Sequence, residues 1–145
     1  MIDFMGGVME TAHTNHRPII AWVEDDSDFQ EVVREWLLPK FDLRTYRNGE
    51  TFLDRIDDVA PDVIMLDIGL PGLGGLGINQ RLRRRKRFAC VPILFLSSRM
   101  EEIDFINQLG PSITAFLRKP VARSDLLETL SRLIPSRHRE PALAL

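Results

Sequence analysis

The stretch Val63-Ile64-Met65-Leu66-Asp67-Ile68-Gly69-Leu70-Pro71-Gly72 decides how this chain is read. Four apolar residues run directly into an aspartate, and Gly74 and Gly75 extend the turn-rich segment behind it. A short, continuous apolar run closed by turn residues predicts a strand buried on both faces, as in a parallel sheet. Asp67 then stands at the strand's carboxyl end, the edge at which open α/β sheets bind ligands. An aspartate there also suits a turn or a helix cap. Its meaning therefore depends on what the other strands bring to the same edge.

Upstream, Pro18-Ile19-Ile20-Ala21-Trp22-Val23 predicts a first strand that ends in Glu24-Asp25-Asp26. Ser27 and Gln30 fit a capping box, with Asp28 in the first turn. Phe29, Val32, Val33, Trp36 and Leu37 recur at helical spacing until Pro39 stops the helix. Leu43 and Thr45, with Phe41, predict a weaker second strand. Asn48-Gly49 opens a short helix carrying Phe52, Leu53 and Ile56, and Pro61 resets the chain before the central strand.

Downstream, Leu76, Ile78 and Leu82 mark a helix whose far end is Arg81 to Arg87. Val91 to Leu96 predicts a fourth strand ending in Ser97, and Glu101 to Leu109 a helix closed by Gly110-Pro111. Ile113 to Leu117 predicts the last strand, which runs into Arg118-Lys119-Pro120. Ser124-Asp125 is placed to cap a final helix with Leu126, Leu127, Leu130, Leu133 and Ile134 inward. Alternation of strand and helix along the whole chain predicts an α/β fold with a parallel sheet and right-handed crossovers.

A length of 145 residues fits one domain, here 18–135, between a flexible N-terminal arm at 1–17 and a C-terminal tail at 136–145. The net charge of −2 argues against general attraction to nucleic acid. The single cysteine, Cys90, excludes an intrachain disulfide and reads as a core thiol ahead of the fourth strand. No apolar run is long enough to span a bilayer and no secretory signal opens the chain, so a cytoplasmic, membrane-free protein is expected. Arg81-Leu82-Arg83-Arg84-Arg85-Lys86-Arg87 is the sharpest charge run. It lacks interleaved aromatics, so it reads as a solvated helix end or a docking patch for an acidic partner.

The carboxyl ends of the strands bring together Glu24 and Asp25, Asp67, Ser97 and Lys119. Three carboxylates converging on one pocket repel one another. A hard divalent cation such as Mg²⁺, which takes oxygen ligands, resolves that repulsion. A lysine and a hydroxyl beside it suit the oxygens of a phosphoryl group. Glu24 and Asp25 are preferred to Asp25 and Asp26 as the acidic pair, because they directly follow Val23.

This constellation resembles the receiver domain of two-component response regulators, over about Ile19 to Ile134. The resemblance implies a flavodoxin-like, doubly wound (βα)5 fold with a five-stranded parallel sheet in the order 2-1-3-4-5. It implies that Asp67 is the phospho-acceptor, that Asp25 binds Mg²⁺ directly, and that Glu24 acts through metal-bound water. The carbonyl of Gly69 would complete the protein's share of the metal shell, with Asp67 itself a ligand. Ser97 would be the switch hydroxyl, Lys119 the phosphoryl partner and Phe116 the switch aromatic, while Pro71 and Gly75 match the loop after the acceptor. The implied role is a signalling receiver rather than an enzyme, though one that assists its own phosphorylation and dephosphorylation. Implied partners are a sensor histidine kinase or histidine phosphotransfer protein and, through the signalling face from about Glu101 to Ile134, a downstream protein target or a second copy of the chain. Two departures stand out: Gly74 where a polar residue is common, and Asn79 at a usually apolar helix position. A phosphorylation-independent interaction module on the same fold would be favoured if the acidic pair, Ser97 or Lys119 were missing, and all are present. A phosphatase of the haloacid-dehalogenase type needs a second acid two residues after the aspartate, where Gly69 stands.

Overall fold

The computed structural model describes residues 16–98 and 114–134. In chain order these form β1 (Ile19–Val23), α1 (Ser27–Leu37), β2 (Asp42–Tyr46), α2 (Gly49–Arg55), β3 (Val63–Asp67), α3 (Gly75–Arg83), β4 (Ile93–Ser97), β5 (Thr114–Arg118) and α4 (Arg123–Leu133). Short 3-10 turns at Ile56–Asp58 and Lys86–Phe88 follow α2 and α3. The expected arm and tail fall almost wholly outside the described residues, as do the helix over Glu101 to Leu109 and residue Ile113.

All strand pairs are parallel, and the order is β2-β1-β3-β4-β5. That is the doubly wound topology in which the chain reverses direction between β1 and β3. β3 is buried along its whole length, as its unbroken apolar run requires. Side chains alternate between two hydrophobic layers. Ala21, Val23, Ile64, Leu66, Ile93 and Phe95 face Phe52, Ile56, Ile78, Leu82 and Phe88. Ile20, Trp22, Val63, Met65, Leu94 and Leu96 face Val33, Leu37, Leu126, Leu130 and Ile134. At the opposite end of β1, the Ile19 amide donates to the Asp62 carboxylate (2.8 Å) while the Asp62 amide donates back to the Ile19 carbonyl (2.8 Å). Among the described residues, no helix is long and apolar enough to cross a membrane.

Four local expectations are corrected. The cap of α1 is Asp26, not Ser27: its Oδ1 accepts from the amides of Asp28 (3.0 Å) and Phe29 (3.2 Å). Asp26 is extended and Ser27 already helical, so only Asp26 has its side chain below the free amides. Gln30 leaves the expected box and donates Nε2 to the Glu24 carbonyl (2.7 Å), which pins the strand end to the helix. α4 begins at Arg123 with no side-chain cap, which places Ser124 and Asp125 inside its first turn. α3 ends at Arg83, so the second half of the basic run lies in the turn beyond it. Cys90 is exposed rather than a core thiol, because β4 starts only at Ile93 and residue 90 lies in the connection.

Candidate functional site

β1 and β3 are neighbours in register, Val23 beside Leu66, so Glu24 and Asp67 leave adjacent strands at the same edge. Asp67 continues the alternation of Val63 and Met65 and therefore lies toward the layer of α1 and α4. Glu24 is 1% exposed and Asp67 7%, whereas Asp25 is open to solvent. Glu24, Asp25 and Asp67 each offer one carboxylate oxygen, and these oxygens lie within 4.8 Å of one another. Asp26, the rejected half of the alternative pair, is committed to capping α1.

Lys119 follows β5 directly. Its amide donates to the Ser97 carbonyl (2.8 Å) and extends the ladder by one bond past Arg118. That rigid exit delivers Nζ to Asp67 Oδ2 (2.8 Å) and Glu24 Oε1 (3.0 Å). Two further donors hold the carboxylates: the Gly69 amide to Asp67 Oδ1 (2.9 Å) and the Asp26 amide to Glu24 Oε2 (3.2 Å). Ser97 is buried at the end of β4, one residue beyond the partner of Asp67. Phe116 is paired with Phe95 across β4 and β5 and lies half-buried against the layer of α2 and α3.

The electrostatics follow from this crowding. Burial, and then the charge of Asp67, push the Glu24 carboxyl up to about 7, against the opposing pull of Lys119. Burial pulls the Lys119 ammonium down, but its hydrogen bonds and charge contacts with Asp67 and Glu24 outweigh that and hold it above the usual lysine value. One ammonium thus serves two buried carboxylates while a third opens to solvent beside them.

The glycine-rich loop lets α3 start against the strand. A Cβ on Gly75 would meet the Asp67 carbonyl oxygen at 2.7 Å, too close for any other residue, and Gly72 takes the left-handed conformation at φ +71°.

The family model for the response regulator receiver domain matches residues 20–131. The chain belongs to this family. It is the receiver domain of two-component systems. Over 118 residues the receiver is 29% identical to the phosphate regulon transcriptional regulatory protein PhoB of Rhizobium meliloti (strain 1021), covering 81% of this chain and 52% of that protein. It is 26% identical over 118 residues to the sensor histidine kinase TmoS of Ectopseudomonas mendocina, covering 81% of this chain and 12% of that one. The chain therefore spans about half, or much less, of these relatives' own length. Among solved structures, the chemotaxis response regulator CheY4 of Vibrio cholerae superposes with a TM-score of 0.74 at 23% identity, over 82% of this chain and 100% of that one. A sensor protein from Polaromonas sp. JS666 gives 0.75 at 24%, over 84% and 99%.

Three features of this receiver were not legible from residue types. Phe29, read as part of an apolar helix stripe, has the Lys119 ammonium 4.8 Å from its ring centroid. Asn79 is buried, and among the described residues its Oδ1 finds no hydrogen-bond partner. Most of the basic run's guanidinium groups end on backbone carbonyls rather than standing free. Arg83 Nη1 meets the carbonyls of Phe88 (2.8 Å), Ala89 (3.2 Å) and Val91 (2.8 Å). Arg85 reaches the Leu53 carbonyl (3.0 Å) and the Asp57 carboxylate (3.2 Å), and Arg87 bonds the carbonyls of Asp57 and Val59. Arg83 thus ties the end of α3 to its own following connection, and Arg85 and Arg87 tie the turn after α3 to α2 and the turn behind it. Arg81, Arg84, Lys86 and Arg87 stay exposed, so the expected solvated run holds only in part.

Proposed function

We propose that this receiver takes a phosphoryl group on Asp67 in the presence of Mg²⁺ and thereby switches a protein-interaction surface. The observation that carries the reading is the convergence of Glu24, Asp25 and Asp67, oxygens within 4.8 Å of one another, with the Lys119 ammonium bonded to Glu24 and Asp67. The donor set is all oxygen and anionic, which suits a hard cation. A glutamate held near neutrality by burial and by a neighbouring carboxylate marks a place short of positive charge. Glu24, through a bound water, with Asp25, Asp67 and the Gly69 carbonyl, would hold the ion. Once bound, Mg²⁺ would offset the negative charge of the transferring phosphoryl group.

The chain's own groups do the rest. A carboxylate oxygen of Asp67 forms the bond to phosphorus as the bond from phosphorus to the donor breaks, and the leaving group keeps that electron pair. With acetyl phosphate the leaving group is acetate; with a sensor histidine kinase or a histidine phosphotransfer protein it is the imidazole. Lys119, already 2.8 Å from Asp67, pairs with the oxygens that remain on phosphorus. The buried Ser97 hydroxyl donates to one of them, and Phe116 turns inward into the space this leaves, which presents the altered face to a downstream protein or a second copy of the chain. Return to the resting state is by hydrolysis of the acyl phosphate, which the same site assists. The setting is cytoplasmic.

Reductive trapping tests the assignment. Borohydride converts an aspartate that carries an acyl phosphate to homoserine, and peptide mapping after acetyl phosphate treatment should find that product at position 67. Trapping at Asp25 or Asp26 would overturn it.

A further inference from the structure

We propose that Phe29 is a positioning residue for Lys119 and, through it, for phosphoryl transfer. The inference rests on the reading of Asp67 as the acceptor. An ammonium has three N–H donors. In Lys119 two carboxylates take hydrogen bonds, Asp67 at 2.8 Å and Glu24 at 3.0 Å. The ring of Phe29, with its centroid 4.8 Å from Nζ, occupies a further side of the ammonium. The negative face of an aromatic ring attracts a cation, and more strongly where water is thin. Lys119 is such a case, with a side chain only 22% exposed.

The ring is itself held in place. The Phe29 amide donates to the capping carboxylate of Asp26 (3.2 Å), so its backbone is fixed in the first turn of α1. Trp22, fully buried in β1, meets Phe29 in an edge-to-face arrangement, with centroids 5.5 Å apart and planes at 80°. Gln30, the next residue, anchors the same turn to the Glu24 carbonyl (2.7 Å). Helix cap, strand end and buried indole together set one ring against one ammonium. An aliphatic side chain at position 29 would fill similar space without attracting the cation. The ammonium would then turn its third donor to water, and its place over Asp67 would loosen. Groups that stabilise a transferring phosphoryl group work by being in place beforehand.

Fluorination separates the ring's charge distribution from its shape. In the full chain, Phe29 is replaced by 4-fluoro-, 3,5-difluoro- and pentafluorophenylalanine. The rate of phosphoryl uptake from acetyl phosphate with Mg²⁺ is then followed by intact mass. The rate should fall stepwise along the series, to about threefold to tenfold below wild type for the pentafluoro ring. Thermal midpoints should stay together. Phe29→Leu should match the pentafluoro chain, and Phe29→Trp should keep the wild-type rate. One common rate across the fluorinated series, or a wild-type rate in Phe29→Leu, overturns the positioning role alone. A wild-type chain that takes up no phosphoryl group overturns the acceptor reading and the positioning role with it.

Discussion

Two concentrations of charge stand in this receiver, and they are used in opposite ways. At the carboxyl edge of the sheet, Glu24, Asp25, Asp67 and Lys119 converge on one small volume, and the charges face one another. At the end of α3 and in the turn after it, Arg83, Arg85 and Arg87 aim mainly at the carbonyls of their own main chain. Charges that face one another stay responsive, because any ion or proton that enters changes the balance of all of them. Guanidinium groups on backbone carbonyls are closed, since their acceptors cannot titrate or leave. A charge run in a sequence is thus no guide to a binding site until the groups on which the charges end are known.

The sharpest way to break this contrast is to remove the cation from the responsive cluster. Lys119→Met leaves Glu24 and Asp67 without their shared counter-charge. Metal-free protein at pH 8 should lose about 3 kcal/mol in urea unfolding. Added Mg²⁺ should restore part of that loss. Unchanged stability would mean that Lys119 does not balance the carboxylates.

Next is the proton. The Glu24 carboxyl titrates at about 7 in the folded chain, against 4.5 for an ordinary glutamate. Between those values the folded state holds a proton that the unfolded chain has released. The contribution of Glu24 is therefore fully present below about pH 4.5 and is lost as the pH rises through 7. Metal-free wild type should lose about 2 to 3 kcal/mol relative to Glu24→Gln across that window. Parallel pH profiles for the two proteins would contradict the assigned burial and crowding.

The arginine run should behave differently. Arg83→Ala removes the group that meets the carbonyls of Phe88, Ala89 and Val91 and should cost about 2 kcal/mol, with little dependence on pH between 5 and 8 or on Mg²⁺. Arg83→Lys should recover only part, because a single ammonium does not reproduce the planar guanidinium. The smallest effect concerns the cap of α1. Asp26→Ala should cost about 1 kcal/mol and Ser27→Ala close to nothing, a difference that denaturant midpoints resolve.

Most of the fold could be read from the chain because a parallel sheet buries both faces of its strands. Runs such as Val63 to Leu66 and Ile93 to Leu96 are then continuous and hard to mistake. The places of Glu24, Asp25, Asp67, Ser97 and Lys119 were legible for the same reason, since each sits where an apolar run stops. The cap of α1 was misjudged by one residue. Asp26 and Ser27 can both cap a helix, and only the backbone angles at the strand exit choose between them. The fate of the arginines was hidden because their acceptors include carbonyls far along the chain, as with Arg85 and Leu53. Phe29 was hidden by its periodicity: a residue on an apolar stripe gives no sign that a lysine from the other end of the domain will rest on its ring.

We place the chemistry of this receiver, as proposed above, in the cluster where charges face charges, with Asp67 as its acceptor. The most direct test of this claim is intact-mass analysis of wild type, Asp67→Asn and Arg83→Ala after incubation with acetyl phosphate and Mg²⁺, with EDTA controls. Wild type and Arg83→Ala should each gain one phosphoryl group, Asp67→Asn none, and EDTA should abolish the gain. A phosphorylated Asp67→Asn protein, or uptake that persists in EDTA, would contradict the claim.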